Sequence, residues 1–324
     1  MSHRPVLDVR GLTVRIQTES GEVHAVEDVS FTTKASQVVA LVGESGAGKS
    51  VTGMSILRLV PSPPAQVVAG EILLDGRDLL KMSTAEIRHV RGNEVAMVFQ
   101  EPMTALNPAL RIWRQIGEPL VRHRGLNWRQ AKAAAIDLLA QAQIPDPAAR
   151  AESYPHQFSG GMRQRVMIAM ALACKPKLII ADEPTTALDV TVQAQLLALL
   201  VSLTRNVGGC LVLITHDLGV VARYVDTVNV MYAGRIVESG PVDDVLRQPQ
   251  HPYTRGLIRS IPRISGDVVE RLDAIPGSPL STIGGIAGCA FRPRCNRAQD
   301  RCAHERPPLE PSASGEHKSA CWNP

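Results

Sequence analysis

The chain has 324 residues, 44% hydrophobic and 20% charged, the composition of a globular protein with a core of its own in one large or two modest domains. A formal net charge of +4 is too small to argue for nucleic acid, and 3% aromatic residues leave too few rings for base-stacking platforms. No run reaches the roughly 18 apolar residues of a membrane span, and the first ten residues lack the apolar core of a signal peptide. The chain is therefore expected in the cytoplasm, with its six cysteines reduced or metal-bound rather than disulfide-linked.

Residues 6–16 and 23–31 read as strands split by a polar turn at Ser20-Gly21, and residues 70–75 as another short strand. An apolar run, Val38-Val-Ala-Leu-Val42, leads into Gly43-Glu-Ser-Gly-Ala-Gly-Lys-Ser50, and residues 51–60 are compatible with a helix. Strand, glycine loop and helix in that order are the setting that G-x-x-x-x-G-K-[ST] requires. The glycines let backbone N–H groups turn inward on phosphate oxygens, and the helix start adds its positive end. Lys49 supplies a charge for the terminal phosphates and Ser50 a hydroxyl for Mg²⁺.

Residues 94–100 read as a buried strand ending in Gln100, which is either an ordinary loop amide or a ligand reaching Mg²⁺ when a γ-phosphate is bound. Residues 101–108 carry two prolines and read as loop. Helices over 112–123 and 128–142 follow, the second with apolar spacing at Ala131, Ala134, Ala135, Leu138, Leu139 and Ala142. Phe158-Ser-Gly-Gly-Met-Arg-Gln-Arg165 then opens a long helix over 166–174. Ser159 is its N-cap, and Gly160 and Gly161 bare its first amides, a second anion-ready helix start. Leu178-Ile-Ile-Ala-Asp182-Glu183 reads as a buried parallel strand with two carboxylates at its C-terminal edge, where open α/β sheets bind ligands. Asp182 is placed for Mg²⁺ and Glu183 to polarise an attacking water. Thr185-Thr-Ala-Leu-Asp189 reads as a turn and residues 190–203 as a helix. Residues 210–215 form a further strand ending at His216, a candidate γ-phosphate contact, and residues 227–232 and 234–238 close with a hairpin.

The nucleotide fold is expected to end near residue 245, leaving 246–324 as a Pro- and Arg-rich extension. Cys289, Cys295, Cys302 and Cys321 cluster there with gaps of five, six and eighteen residues. A loop-rich segment with little core invites a metal staple, and the spacing leaves zinc and an iron–sulfur cluster equally open, with free thiols as the lesser alternative. Cys174 and Cys210 sit in apolar runs and read as core.

The ordered motifs resemble those of the ABC ATPases. Gly43 to Ser50 is similar to the Walker A loop, Gln100 to the Q-loop and Ser159-Gly160-Gly161-Met162 to the signature. Leu178 to Glu183 is similar to Walker B, Ala187-Leu188-Asp189 to the D-loop and His216 to the switch histidine. The resemblance covers residues 6 to about 246. It implies an α/β P-loop NTPase fold: a RecA-like parallel core, an antiparallel β subdomain and a helical insert over about 101–164. A small, irregular, metal-stapled extension would follow. It further implies ATP contacts from Gly43, Ser45, Gly46, Ala47, Gly48, Lys49, Ser50, Val51 and Gln100. Mg²⁺ would be held by Ser50, Gln100 and Asp182, catalysis would fall to Glu183 and His216, and a partner's phosphate would be gripped by the signature across a head-to-tail dimer.

Residues 100–108 and 154–165, His251-Pro-Tyr-Thr254 and the cysteine tail resemble the oligopeptide/dipeptide permease ATPase subunits. That narrower resemblance implies a peptide importer's motor at the cytoplasmic face of the membrane. Its partners would be two permease subunits, a sister ATPase and an extracytoplasmic peptide-binding protein, with no nucleic acid. The four tail cysteines would hold a [4Fe–4S] cluster, with Zn²⁺ as the alternative. Relatives also carry nickel or modified peptides. A soluble ATPase acting on nucleic acid or ribosomes is disfavoured by the single core and the short insert. Met162 and Ile16 depart from the wider family's glutamine and adenine-stacking aromatic.

Overall fold

The computed structural model describes residues 4–185, 189–260, 275–312 and 315–324. The chain divides into two compact units, one of residues 1–7, 33–38 and 81–213, the other of 8–32, 39–80 and 214–324.

In the second unit, one sheet runs in the order Gly21–Thr33, Leu7–Thr18, Ala65–Leu74, Arg77–Asp78. The third of these strands begins five residues before the expected one, directly after Pro63-Pro64. A second run of strands is ordered Glu310–Pro311, Lys318–Ser319, Arg235–Pro241, Thr227–Tyr232, Val38–Val42. Val38–Val42 is buried at every position and lies parallel to Thr227–Tyr232, as a β-branched run with no polar face requires. Thr227–Tyr232 and Arg235–Pro241 form the expected antiparallel hairpin. The tail contributes Lys318–Ser319, which pairs antiparallel with Glu238 and Ser239.

A ring cluster and a buried carboxylate help to hold the extension down in this unit. Tyr253 and Phe291 pack with Tyr232 at ring separations of 4.7 and 5.3 Å, contacts worth about 0.5–1.5 kcal/mol each beyond their buried area. Glu238, fully buried, accepts from the Gln250 and His251 amides at 2.7 and 2.9 Å and contacts His317 Nε2 at 2.7 Å. His251 caps the helix Pro252–Arg259, its Nδ1 accepting from Tyr253 N at 3.1 Å. Complete burial, with Arg255 adding repulsion, depresses its pKa to about 3. The folded chain therefore binds fewer protons here than the unfolded chain between about pH 6.5 and 3, so stability falls on acidification. Lowering the pH from 7 to 5 is expected to cost on the order of 2 kcal/mol through this group. His251→Asn, which keeps a cap acceptor, should flatten that part of the pH–melting curve; an unchanged slope would exclude His251 as its source.

In the first unit, Val95–Val98, Leu178–Asp182 and Cys210–Thr215 lie side by side, the first two parallel. The helices Ile112–Arg124, Trp128–Gln141, Pro147–Ala151 and Gly160–Leu172 lie in sequence between the strands Val95–Val98 and Leu178–Asp182. Asn127 and Gln130 make a reciprocal capping box at the second. Ala131, Ala135, Leu139 and Ala142 are fully buried, and Leu120, Ala131, Ala173 and Cys174 share one cluster, so Cys174 is core as expected. Cys210 is likewise buried, donating its thiol to Lys177 O at 3.3 Å.

Candidate functional site

The phosphate loop leaves the buried strand Val38–Val42 through Gly43 and enters the helix Lys49–Ile56 at Gly48. Both glycines are obligatory. Gly43 has φ 152° and Gly48 φ 96°, and a Cβ would sit 2.2 Å from Met231 O and 2.4 Å from Ala25 O respectively. Lys49 is 5% exposed and folds back over the loop, donating Nζ to Gly43 O at 2.9 Å and Glu44 O at 3.0 Å. The helix is shorter than the expected run to residue 60: it ends at Ile56, Arg58 turns left-handed at φ 51°, and three prolines follow by residue 64. Val51 is thereby in its first turn. His216 is exposed one residue past Cys210–Thr215, and Asp217 beside it caps the helix Leu218–Tyr224.

In the first unit, Gln100 and Glu183 come together across 83 residues of sequence: Gln100 Nε2 donates to Glu183 Oε2 at 3.3 Å. Asp182 is the last residue of its strand and 8% exposed. Glu183 takes φ 42°, a left-handed conformation that costs a non-glycine residue about 1–3 kcal/mol and that clusters at functional sites. Ser159 caps the helix Gly160–Leu172, accepting from Met162 N at 3.4 Å, while Ser159 and Gly160 themselves stay exposed. The helix begins at Gly160, directly after Ser159, its expected N-cap. Asp189 accepts from Val192 N at 2.9 Å as N-cap of Val190–Asn206. Ala187 and Leu188 lie outside the described residues.

Cys289, Cys295, Cys302 and Cys321 line one small cavity of the extension. Arg297 N donates to Cys295 Sγ and Asn323 N to Cys321 Sγ, each at 3.4 Å, the kind of bond that supports a ligating thiolate. Burial, opposed by the Phe291 amide and reinforced by the neighbouring cysteines, leaves the Cys289 thiol pushed up to about 11. Among the described residues no three His, Cys, Asp or Glu side chains are drawn together as a finished metal shell.

The extension also reaches the phosphate loop, which no motif indicated. Glu44 N donates to Tyr253 Oη at 2.8 Å, and Arg294 places both terminal nitrogens on the Glu44 carboxylate, at 2.6 and 2.9 Å. These partners are 209 and 250 residues apart in sequence, so no local signal could have joined them.

The ABC transporter family model matches residues 26–186, and that for the oligopeptide/dipeptide transporter C-terminal region matches 237–302. A putative peptide import ATP-binding protein of Brucella melitensis is 50% identical over 99% of this chain and 98% of its own length. The oligopeptide transport ATP-binding protein OppD of Bacillus subtilis is 48% identical over 94% of this chain and 85% of its own. Among solved structures, the ATP-binding cassette MJ0796, dimeric in a post-hydrolysis state with ADP and Pi, superposes with a TM-score of 0.65. It is 27% identical and covers 73% of this chain and 98% of its own. The transporter component cbiO1 of Clostridium perfringens gives 0.63 at 26% identity, covering 75% and 91%.

Proposed function

Since this chain belongs to the ABC transporter ATPases that carry an oligopeptide/dipeptide C-terminal region, we propose that it is one of the motor subunits of a peptide importer. The observation that carries the reading is the pair of anion-ready helix starts on one chain. One, at Lys49, is folded around an ammonium; the other, at Gly160, is capped by Ser159 yet left open to solvent. In this reading Gly43, Ser45, Gly46, Ala47, Gly48, Lys49, Ser50 and Val51 hold ATP. Ser50, Asp182 and Gln100 serve Mg²⁺, and Glu183 and His216 act on the attacking water and γ-phosphate. Ser159, Gly160, Gly161 and Met162 close on the nucleotide of an opposing ATPase, with Asp189 at the junction. Residues 1–245 form the nucleotide-binding domain and 246–324 the extension. Two shared nucleotides make closure depend on ATP and reopening on its hydrolysis.

No helix among the described residues is long and apolar enough to cross a membrane, so transport requires permease subunits supplied by other chains. Residues 101–158 would dock them at the cytoplasmic face, with a sister ATPase opposite and a peptide-binding protein outside. Cys289, Cys295, Cys302 and Cys321 would hold a [4Fe–4S] cluster, whose chemistry here is to cross-link a coreless segment. Affinity capture of this chain from detergent-treated membranes, prepared without oxygen, is expected to bring two permeases and a second ATPase. The sample should contain iron and acid-labile sulfide rather than zinc. Recovery with ribosomes or nucleic acid instead of permeases would overturn the transport reading, and zinc without iron the cluster.

A further inference from the structure

We propose that the C-terminal extension is a latch on the phosphate loop, with Arg294 and Tyr253 as positioning residues for nucleotide binding. The proposal rests on the assignment of residues 43–50 as the nucleotide site.

Glu44 is the residue that the latch grips, and each of its polar groups is engaged. Its N–H donates to Tyr253 Oη at 2.8 Å, its carboxylate accepts both arms of Arg294 at 2.6 and 2.9 Å, and its carbonyl accepts from Lys49 Nζ at 3.0 Å. The grip is itself rigid. Tyr253 is fully buried against Tyr232 and Phe291. The Arg294 side chain is 4% exposed, and its Nε donates to Pro276 O at 2.9 Å.

Two physical consequences follow. A glycine-rich loop is cheap to reshape, and its affinity for phosphate depends on amides already pointing inward. Fixing the Glu44 peptide at both its N–H and its C=O sets the direction from which residues 45–48 continue. Second, a carboxylate beside a triphosphate site repels the ligand unless it is neutralised, and the bidentate guanidinium does so. Arg294 also directly precedes Cys295, which places the thiol cluster one residue from the loop's anchor.

The test is Mg²⁺-dependent binding of a fluorescent ATP analogue to the full chain. Arg294→Met bares the Glu44 carboxylate and should raise Kd about tenfold. Adding Glu44→Gln removes the repulsion and should recover about half of that loss on a logarithmic scale, a non-additive cycle. Tyr253→Phe, which keeps the buried ring, should raise Kd about threefold without lowering the melting temperature. Arg306→Met is the control: Arg306 belongs to the same extension but pairs with Glu27 at 2.9 Å rather than with Glu44, and its loss should leave Kd unchanged. In the assembled transporter the Arg294 variant should raise KM for ATP while kcat stays within twofold of wild type, about what a lost ground-state contact predicts. Wild-type Kd in both Arg294→Met and Tyr253→Phe would overturn the latch, as would equal losses in Arg294→Met and Arg306→Met. Tyr253→Phe decides the matter if Arg294→Met does not fold. An unmodified chain that binds no nucleotide would instead overturn the site assignment, and the latch with it.

Discussion

Glu183→Gln is expected to lower ATP turnover by about 10²–10³-fold while leaving the affinity for ATP within about twofold of the unmodified chain. The substitution isolates one property. A glutamine at this position has the same shape, and its side-chain oxygen can still accept from Gln100 Nε2, which now lies 3.3 Å from Glu183 Oε2. The left-handed backbone at φ 42°, directly after the strand Leu178–Asp182, is untouched. What disappears is the capacity to take a proton from an attacking water. Nucleotide should therefore accumulate uncleaved and hold two ATPase subunits together, visible as an ATP-dependent larger species in size-exclusion chromatography. Turnover within threefold of wild type, about the scatter of such assays, would remove Glu183 from the chemistry.

Lys49→Met is expected to weaken ATP binding by about 10²-fold or more. Lys49 is 5% exposed, with its ammonium on the carbonyls of Gly43 and Glu44. Methionine nearly matches the length of the aliphatic stem and leaves no buried charge behind, so the loss falls on phosphate binding rather than on folding. Calorimetric titration with Mg–ATP measures it, and a melting curve run beside it confirms the fold. Retained affinity would show that the ammonium's bonds to the loop are structural and that the phosphates bind through backbone amides alone.

The legible parts of this protein were the local ones. Gly43 to Ser50 announces itself because strand, loop and helix are contiguous, and each glycine answers to a single backbone requirement. Leu178 to Glu183 is legible because burial and charge change within one residue. The amphipathic spacing of Ala131, Ala135 and Leu139 likewise predicted the buried face of its helix. Boundaries were less legible where a conformation, not a composition, ends the element: Arg58 turns left-handed after Ile56, and nothing about an arginine says so. The bond between Gln100 and Glu183 was hidden by sequence distance, and so were the grip of Arg294 on Glu44 and the ring stack of Tyr232, Tyr253 and Phe291. Such pairings depend on how the chain returns on itself, which periodicity does not encode. The extension read as irregular because its ordering comes from what it touches: Glu238, buried and shared by the amides of residues 250 and 251 and by His317, gives no sign of that role in its own strand.

The returning strand Lys318–Ser319 has a consequence for solubility. Without it, Arg235–Pro241 would present a row of open N–H and C=O groups to any extended peptide, including a nascent copy of the same chain. With it, the outermost member among the described residues is Glu310–Pro311, two residues long and ending in an imino acid that has no hydrogen to give. The edge is blunted by brevity and by chemistry together, so the final residues guard the protein against runaway strand addition.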